Sequence, residues 1–313
     1  MAEARLPEGS GGGPVGGEDL AAPATKVRTR SRWADVRRTF MSNRLALFGL
    51  VVIAVFALMA IFAPLLAPYD PVRDQALPER FAGPSAEHLL GQDELGRDIL
   101  SRIIYGARIS LTAGLAAVTF ATVGGTIVGL VAGYAGGWTD AALMRVMDVL
   151  LAFPSILLAI VIVSILGQGL TNALLAVGII LLPQMARVVR SAVISVRERD
   201  YVEAERAVGA SNYRIVTSAI LPNSMAPLIV QATLALATAV LDVAALSFLG
   251  LGARPPSPEW GAMLTDAFRS GFGVFTEGQH AIIFPGIAIA LSVLAVNFIG
   301  DGLRDALDPR RRR

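Results

Sequence analysis

Five stretches of this 313-residue chain contain no Asp, Glu, Lys or Arg: 45–69, 109–139, 149–186, 215–241 and 278–300. Each is at least as long as the roughly 20 apolar residues that a helix needs to cross the hydrocarbon layer of a bilayer. A chain with five such runs reads as an all-α polytopic membrane protein. Composition agrees. Charged residues are 17% of the total and hydrophobic ones 54%, whereas about 25% of a soluble domain is charged.

What is absent excludes several kinds of chemistry. There is no cysteine, so disulfides, thiolate metal sites and cysteine nucleophiles are ruled out. His88 and His280 are the two histidines and cannot build a histidine-rich metal site. Of the 27 basic residues, Lys26 alone is lysine. It does not follow the glycine loop that a phosphate-binding P-loop requires, so the chain carries no ATP site of this kind.

The third run spans 38 residues and reads either as one long helix or as two spans joined at Gly167-Gln-Gly-Leu-Thr-Asn172. That stretch combines glycine with Thr and Asn and is a good turn. Charge asymmetry decides between the two. With six spans and the N-terminus inside, 20 basic residues fall on one side and 7 on the other, the bias that marks the cytoplasmic side. With five spans the arginines between 187 and 214 would change sides and erase most of it. Six helices are therefore expected, at about 45–67, 107–133, 142–166, 171–192, 219–249 and 279–300, with both termini cytoplasmic.

Residues 1–44 are expected to be a disordered, basic cytoplasmic tail, glycine-rich over 9–17 and followed by seven basic residues against Asp35 over 26–44. The tail is too long for the start of a signal peptide. It reads as a topology signal touching anionic lipid, with no nucleic-acid role. The first helix covers 45–67, an extracytoplasmic loop 68–106, the main transmembrane domain 107–303 and a basic tail 304–313. A second extracytoplasmic loop covers 250–278.

The cytoplasmic loop 196–222 is the most informative segment. Residues 198–208 are good helix formers, and Gly209 can take the left-handed conformation that ends a helix. Ser211 is a candidate N-cap for a second helix, which Pro222 should stop. The result is a helix–turn–helix knob whose small residues Ala204, Ala207, Gly209 and Ala210 allow close approach of a partner.

The order Glu203-Ala204, Gly209, Leu221-Pro222 resembles the motif of the membrane subunits of ABC importers. Glu205 and Ala219 depart from it, standing where alanine and isoleucine are usual. Further stretches resemble the dipeptide, oligopeptide and nickel permeases. They are 90–111, with its Gly91-Gln-Asp-Glu-Leu-Gly-Arg-Asp98, then Gly133-Tyr-Ala-Gly-Gly-Trp-Thr-Asp140, Ala152-Phe-Pro-Ser155, Leu246-Ser-Phe-Leu-Gly-Leu-Gly252 and Gly300-Asp-Gly-Leu-Arg-Asp-Ala-Leu-Asp-Pro309. The similarity covers about 37–310 and points to the second of the two permease chains. Val243 stands where such chains often carry glutamate.

The resemblance implies the ABC type I importer permease fold with six transmembrane helices, in the bacterial inner membrane. It implies a homologous second permease, two cytoplasmic ATPase subunits or domains, an extracytoplasmic substrate-binding protein and surrounding lipid. The chain itself would be no enzyme and hold no cofactor, with ATP and Mg bound in the ATPases. Tyr201, Glu203, Ala204, Glu205, Ala207, Gly209, Ala210, Leu221 and Pro222 would contact the ATPase. Di- or oligopeptides are the expected cargo.

Some residues remain open to two readings. Asp242 is either an intramembrane acid with a function or a hydrated residue at a helix end. Gln184, Gln231 and Asn297 are either hydrogen-bonding glue between helices or part of a translocation path. Gly124, Gly125, Gly129 and Gly133 allow close helix packing or line a pore. Gly96-Arg97-Asp98 touches a binding protein or forms a turn with a local salt bridge. Arg304 and Asp305 read as helix-end electrostatics. A self-sufficient secondary transporter would leave the 196–222 loop unexplained. An intramembrane hydrolase would need a base beside Ser164 or Ser247, and both histidines lie in or beside outer loops.

Overall fold

The computed structural model describes residues 32–271 and 276–307. The expected disorder of the glycine-rich segment 9–17 and most of the basic C-tail lie outside the described residues. All regular structure among those residues is helical. The helices are α1 (Arg32–Ser42), α2 (Arg44–Ile61), the single turn α3 (Ala63–Leu66), α4 (Ile99–Ala135), α5 (Gly137–Leu151), α6 (Ser155–Leu166) and α7 (Leu170–Arg197). They continue with α8 (Asp200–Ala207), the short α9 (Asn212–Arg214), α10 (Leu221–Phe248), α11 (Trp260–Arg269) and α12 (His280–Leu307).

One helix pair sets the architecture. Gly125, Gly129 and Gly133 of α4 lie against Met185, Ala186 and Val193 of α7, and Gly178 of α7 lies against Ala117 and Phe120. A Cβ added at Gly125 or Gly129 would collide with Met185 or with the Ala186 carbonyl. Glycine lets the two backbones approach here, as small residues do between membrane helices. The residue numbers of the touching pairs rise together along both helices, so α4 and α7 run parallel. The segment between them must therefore return the chain across the layer.

That return is made by α5 and α6, which meet at 95° around Ala152, Phe153 and Pro154. Proline disfavours a helical conformation in the residue before it. The third crossing is thus a broken helix, where the sequence suggested a continuous one at 142–166. With five other apolar helices long enough to span, the crossings among the described residues number six, and Asp148 meets Arg187 at 2.6 Å.

The remaining crossings pack antiparallel where expected. Gly114 of α4 meets Val240 of α10, while Gly49 and Ala46 of α2 meet Ala295 and Gly302 of α12. Both described ends of the chain therefore share one face with the 196–222 loop. The tail is not wholly irregular: α1 occupies Arg32–Ser42, and Phe40 packs near Gly302. Helix α4 also starts at Ile99, about two turns earlier than expected, because Asp98 caps it by accepting from the Ser101 amide at 2.7 Å.

A larger correction concerns Pro222. The chain does not stop there. A π-helical turn at Ile215–Ile220 joins α9 to α10, with Pro222 inside the continuous helical path. A proline in a helix removes one amide donor and crowds the carbonyl four residues back. The wider turn relieves that crowding.

The α4–α7 seam should tolerate no added side chain. Gly125→Leu is expected to cost about 1–3 kcal/mol or more by overpacking, read as a lower thermal unfolding midpoint in detergent. Gly286→Ala, whose Cβ would meet nothing within 4 Å, should leave the midpoint nearly unchanged.

Candidate functional site

The 196–222 segment is a rigid knob. Helix α8 ends in two reciprocal bonds: the Ala210 amide donates to the Glu205 carbonyl and the Gly209 amide to the Arg206 carbonyl, each at 3.0 Å. This pair defines a Schellman ending, which needs a left-handed residue at its centre. Gly209 supplies it with φ +80°. Ser211 then caps the next turn, its hydroxyl accepting from the Arg214 amide at 3.3 Å.

Fully buried Val202, Ile215 and Ile220 anchor the knob in the same core cluster as α4 and α7. Two polar ties hold it to α4. Arg197 donates from Nη1 to the Gly133 and Tyr134 carbonyls at 3.0 Å, satisfying the last turn of α4. The Tyr134 hydroxyl donates to Asn212 Oδ1 at 2.7 Å. Arg190 pairs with Asp140, fixing α5 to α7 beside it. Sequence reading missed Arg197, Tyr134 and Asn212, whose roles depend on a helix more than sixty residues away.

Tyr201, Glu203, Ala204 and Ala207 lie together on the exposed side of α8, with exposed Gly209 at its end. Glu205 and Ala210 are half-buried, and Glu205 Oε2 is enclosed without a hydrogen-bond partner among the described residues. Ala219, the other departure from the motif, is buried. Leu221 is half-buried and Pro222 exposed, at the root of the knob.

The four candidate path residues lie on three helices, α7, α10 and α12. Gln231 lines a cavity of about 630 Å³ with Val188, Asn223, Val230 and Arg304. Asp242 is half-buried on α10, eleven residues or about 16 Å further along the helix. Gln184 is exposed on α7 and Asn297 half-buried on α12. Val243, where glutamate was the common alternative, is buried in the core.

The opposite face holds a second polar cluster. Arg97, 1% exposed, pairs through Nε with Asp93 Oδ2 at 2.7 Å, through Nη2 with Glu94, and lies 3.7 Å from Asp266. Arg102 lies 3.2 Å from Asp93 and 3.7 Å from Asp266. The Gly-Arg-Asp element is therefore a turn with internal salt bridges, and buried Arg97 and Asp98 offer no surface to a binding protein. Burial lifts the Glu94 carboxyl to about 7 and raises that of Asp266.

Glu259 is fully buried on this face. It accepts from the Ala262 amide at 2.8 Å, capping α11, and from the Ser110 hydroxyl at 3.2 Å. Trp260 donates from Nε1 to the Ile103 carbonyl, and His280 Nε2 meets the Gln92 carbonyl at 2.9 Å. Residues 67–98, 249–271 and 276–279 thus form one cap over the helix ends.

A broken-helix bundle with a bolted knob on one face and a polar, charge-paired cap on the other is the architecture of a multi-pass membrane permease subunit. Residues 125–313 match the family "binding-protein-dependent transport system inner membrane component". Residues 31–84 match the N-terminal transmembrane domain of oligopeptide transport permease C. The chain belongs to this inner-membrane permease family.

It is 50% identical over 290 residues to the dipeptide transport system permease protein of Alkalihalophilus pseudofirmus, covering 93% of this chain and 94% of that one. It is 44% identical over 281 residues to the glutathione transport system permease protein of Pectobacterium atrosepticum, covering 90% and 92%. An inward-facing structure of the MetNI methionine ABC transporter shares the fold, with a TM-score of 0.54, 21% identity, and coverage of 67% of this chain and 98% of that one.

The Glu94 cluster gives a pH prediction. A carboxyl raised from near 4.5 to about 7 by folding stabilises the fold below its unfolded value, and that contribution is lost as pH rises through about 7. Thermal unfolding midpoints should fall between about pH 5 and about pH 8, and Glu94→Gln should flatten the slope.

Proposed function

We propose that this chain is the permease subunit of an ATP-driven importer of di- or oligopeptides, with the 196–222 knob in the cytoplasm. The knob fits a groove on an ATPase subunit. Tyr201, Glu203, Ala204, Ala207 and Gly209 form the contact surface, while Glu205, Ala210, Leu221 and Pro222 support it. The single observation that carries this reading is the Schellman-ended α8, rigidly tied to α4 and α7 yet exposed on its small-residue side.

The bundle, with a homologous permease, forms the path. Two ATPase subunits bind ATP and Mg and do the chemistry, and this chain holds no cofactor. Motion of the ATPases moves the knob, and Val202, Arg197 and Tyr134 carry the displacement into α4 and α7. Such a subunit shifts between states by differential contacts with its partners. The face bearing residues 67–98 and 249–271 lies outside and receives the substrate-binding protein. Charge asymmetry supports this orientation, and the dipeptide permease relatives support the cargo.

Gly209 provides the test. A Cβ there meets nothing within 4 Å in this chain, but its φ of +80° strains any L side chain. In the assembled importer, Gly209→Asn should retain most uptake, whereas Gly209→Val should uncouple it, with ATP hydrolysis continuing and peptide uptake falling at least about tenfold, equivalent to about 1.4 kcal/mol. Normal uptake by the valine variant would overturn the coupling role.

A further inference from the structure

On the face opposite the knob, a cavity of about 420 Å³ opens among Gln168, Gly250, Arg254, Thr265, Asp266 and Arg269. Four parts of the chain converge there: the α6–α7 turn, the end of α10, the loop before α11, and α11. Arg254 and Arg269 stand exposed at its wall. Among the described residues, no carboxylate lies within ion-pair distance of either. Arg254 donates from Nη2 only weakly, to the Gln168 carbonyl at 3.2 Å.

The floor adds to the imbalance. Asp266 lines the cavity and is shared between buried Arg97 and Arg102 at 3.7 Å each. Asp266 Oδ2 and two nitrogens of Arg102, Nε and Nη2, are enclosed without a hydrogen bond. The cavity lining itself therefore carries two guanidinium groups, Arg254 and Arg269, against one carboxylate, Asp266, whose charge also faces the buried Arg97 and Arg102. A polar recess with surplus positive charge attracts an anion, and bidentate guanidinium geometry suits a carboxylate.

We propose that this recess receives an acidic side chain of the extracytoplasmic binding protein, held between Arg254 and Arg269. The inference rests on the importer reading and deepens it by naming the chemistry of the outer contact. The occupant takes Arg254 from the Gln168 carbonyl. That loosens the α6–α7 turn, which is otherwise held to the α10 end by Arg254 and by the Gly169 amide donating to the Leu251 carbonyl at 3.1 Å. Docking outside is thereby passed to α7, the helix that carries the knob. Arg254 and Arg269 are positioning residues for the partner and contact no reacting group.

The test uses the complete importer in lipid nanodiscs, titrated with dipeptide-loaded binding protein. The readout is the concentration that half-saturates stimulation of ATP hydrolysis. Arg254→Gln with Arg269→Gln is expected to raise it about tenfold at low salt and to remove most of its salt dependence, as loss of steering charges does. Arg254→Lys with Arg269→Lys, which keeps the charge and loses the bidentate fork, should fall between native and the Gln variant and keep most of the salt dependence. Binding protein with its surface carboxylates amidated should reproduce the Gln result on the native complex. An unchanged half-saturating concentration in the Gln variant, or equal losses in the Gln and Lys variants, overturns the inference while leaving the importer reading intact. Absence of any stimulation in the native complex overturns both.

Discussion

The structure depends on the glycine seam between α4 and α7. Gly125, Gly129 and Gly133 remove the side chains that would hold the two backbones apart, and close packing substitutes for the hydrophobic drive that is missing between helices in lipid. Because the helices are parallel, the chain must recross between them, and α5–α6 does so with a break at Pro154. The same parallelism brings the ends of α4 and α7 together on one face. Arg197 can then cap α4 from α7, and the knob that follows α7 is seated on both helices.

The two faces are built by different physics. The knob face uses local backbone geometry: a Schellman ending, a serine cap and a π-helical turn, all within about twenty residues. It is small, exposed and stiff, which suits transmission of a push. The opposite face uses buried charge. Arg97, Arg102, Asp93, Glu94 and Asp266 are packed where water is scarce, so each ion needs its partners. That cluster joins residues 93–102 to α11 and fixes the shape of the cap. Glu259 completes it by satisfying the α11 amides from the centre of the core.

These differences explain what could be read in advance. The six crossings were legible because burial in lipid demands long uncharged runs. The turn at Gly209 was legible because its determinants lie within a few residues. Pro222 misled because a proline usually ends a helix, and the relief here comes from a wider turn that leaves no mark in composition. The kink at Ala152–Pro154 was likewise hidden inside a run whose hydropathy is uniform. The candidate path residues were chosen for being polar in apolar runs. That criterion does not say which way a helix face turns: Gln184 is exposed, Asp242 and Asn297 are half-buried, and Gln231 lines a cavity.

The sequence by itself determined the class of structure, the number of crossings, the segment that forms the knob and the family it resembles, because each follows from local chemistry or from totals along the chain. Only the tertiary structure decided the parallel seam, the broken third crossing, the tie of Arg197 to α4 and the pairing of Arg97 and Arg102 with Asp266. These are contacts between residues tens to more than a hundred and fifty positions apart. Their energy depends on distance and enclosure in space, and neither is written in the order of the residues.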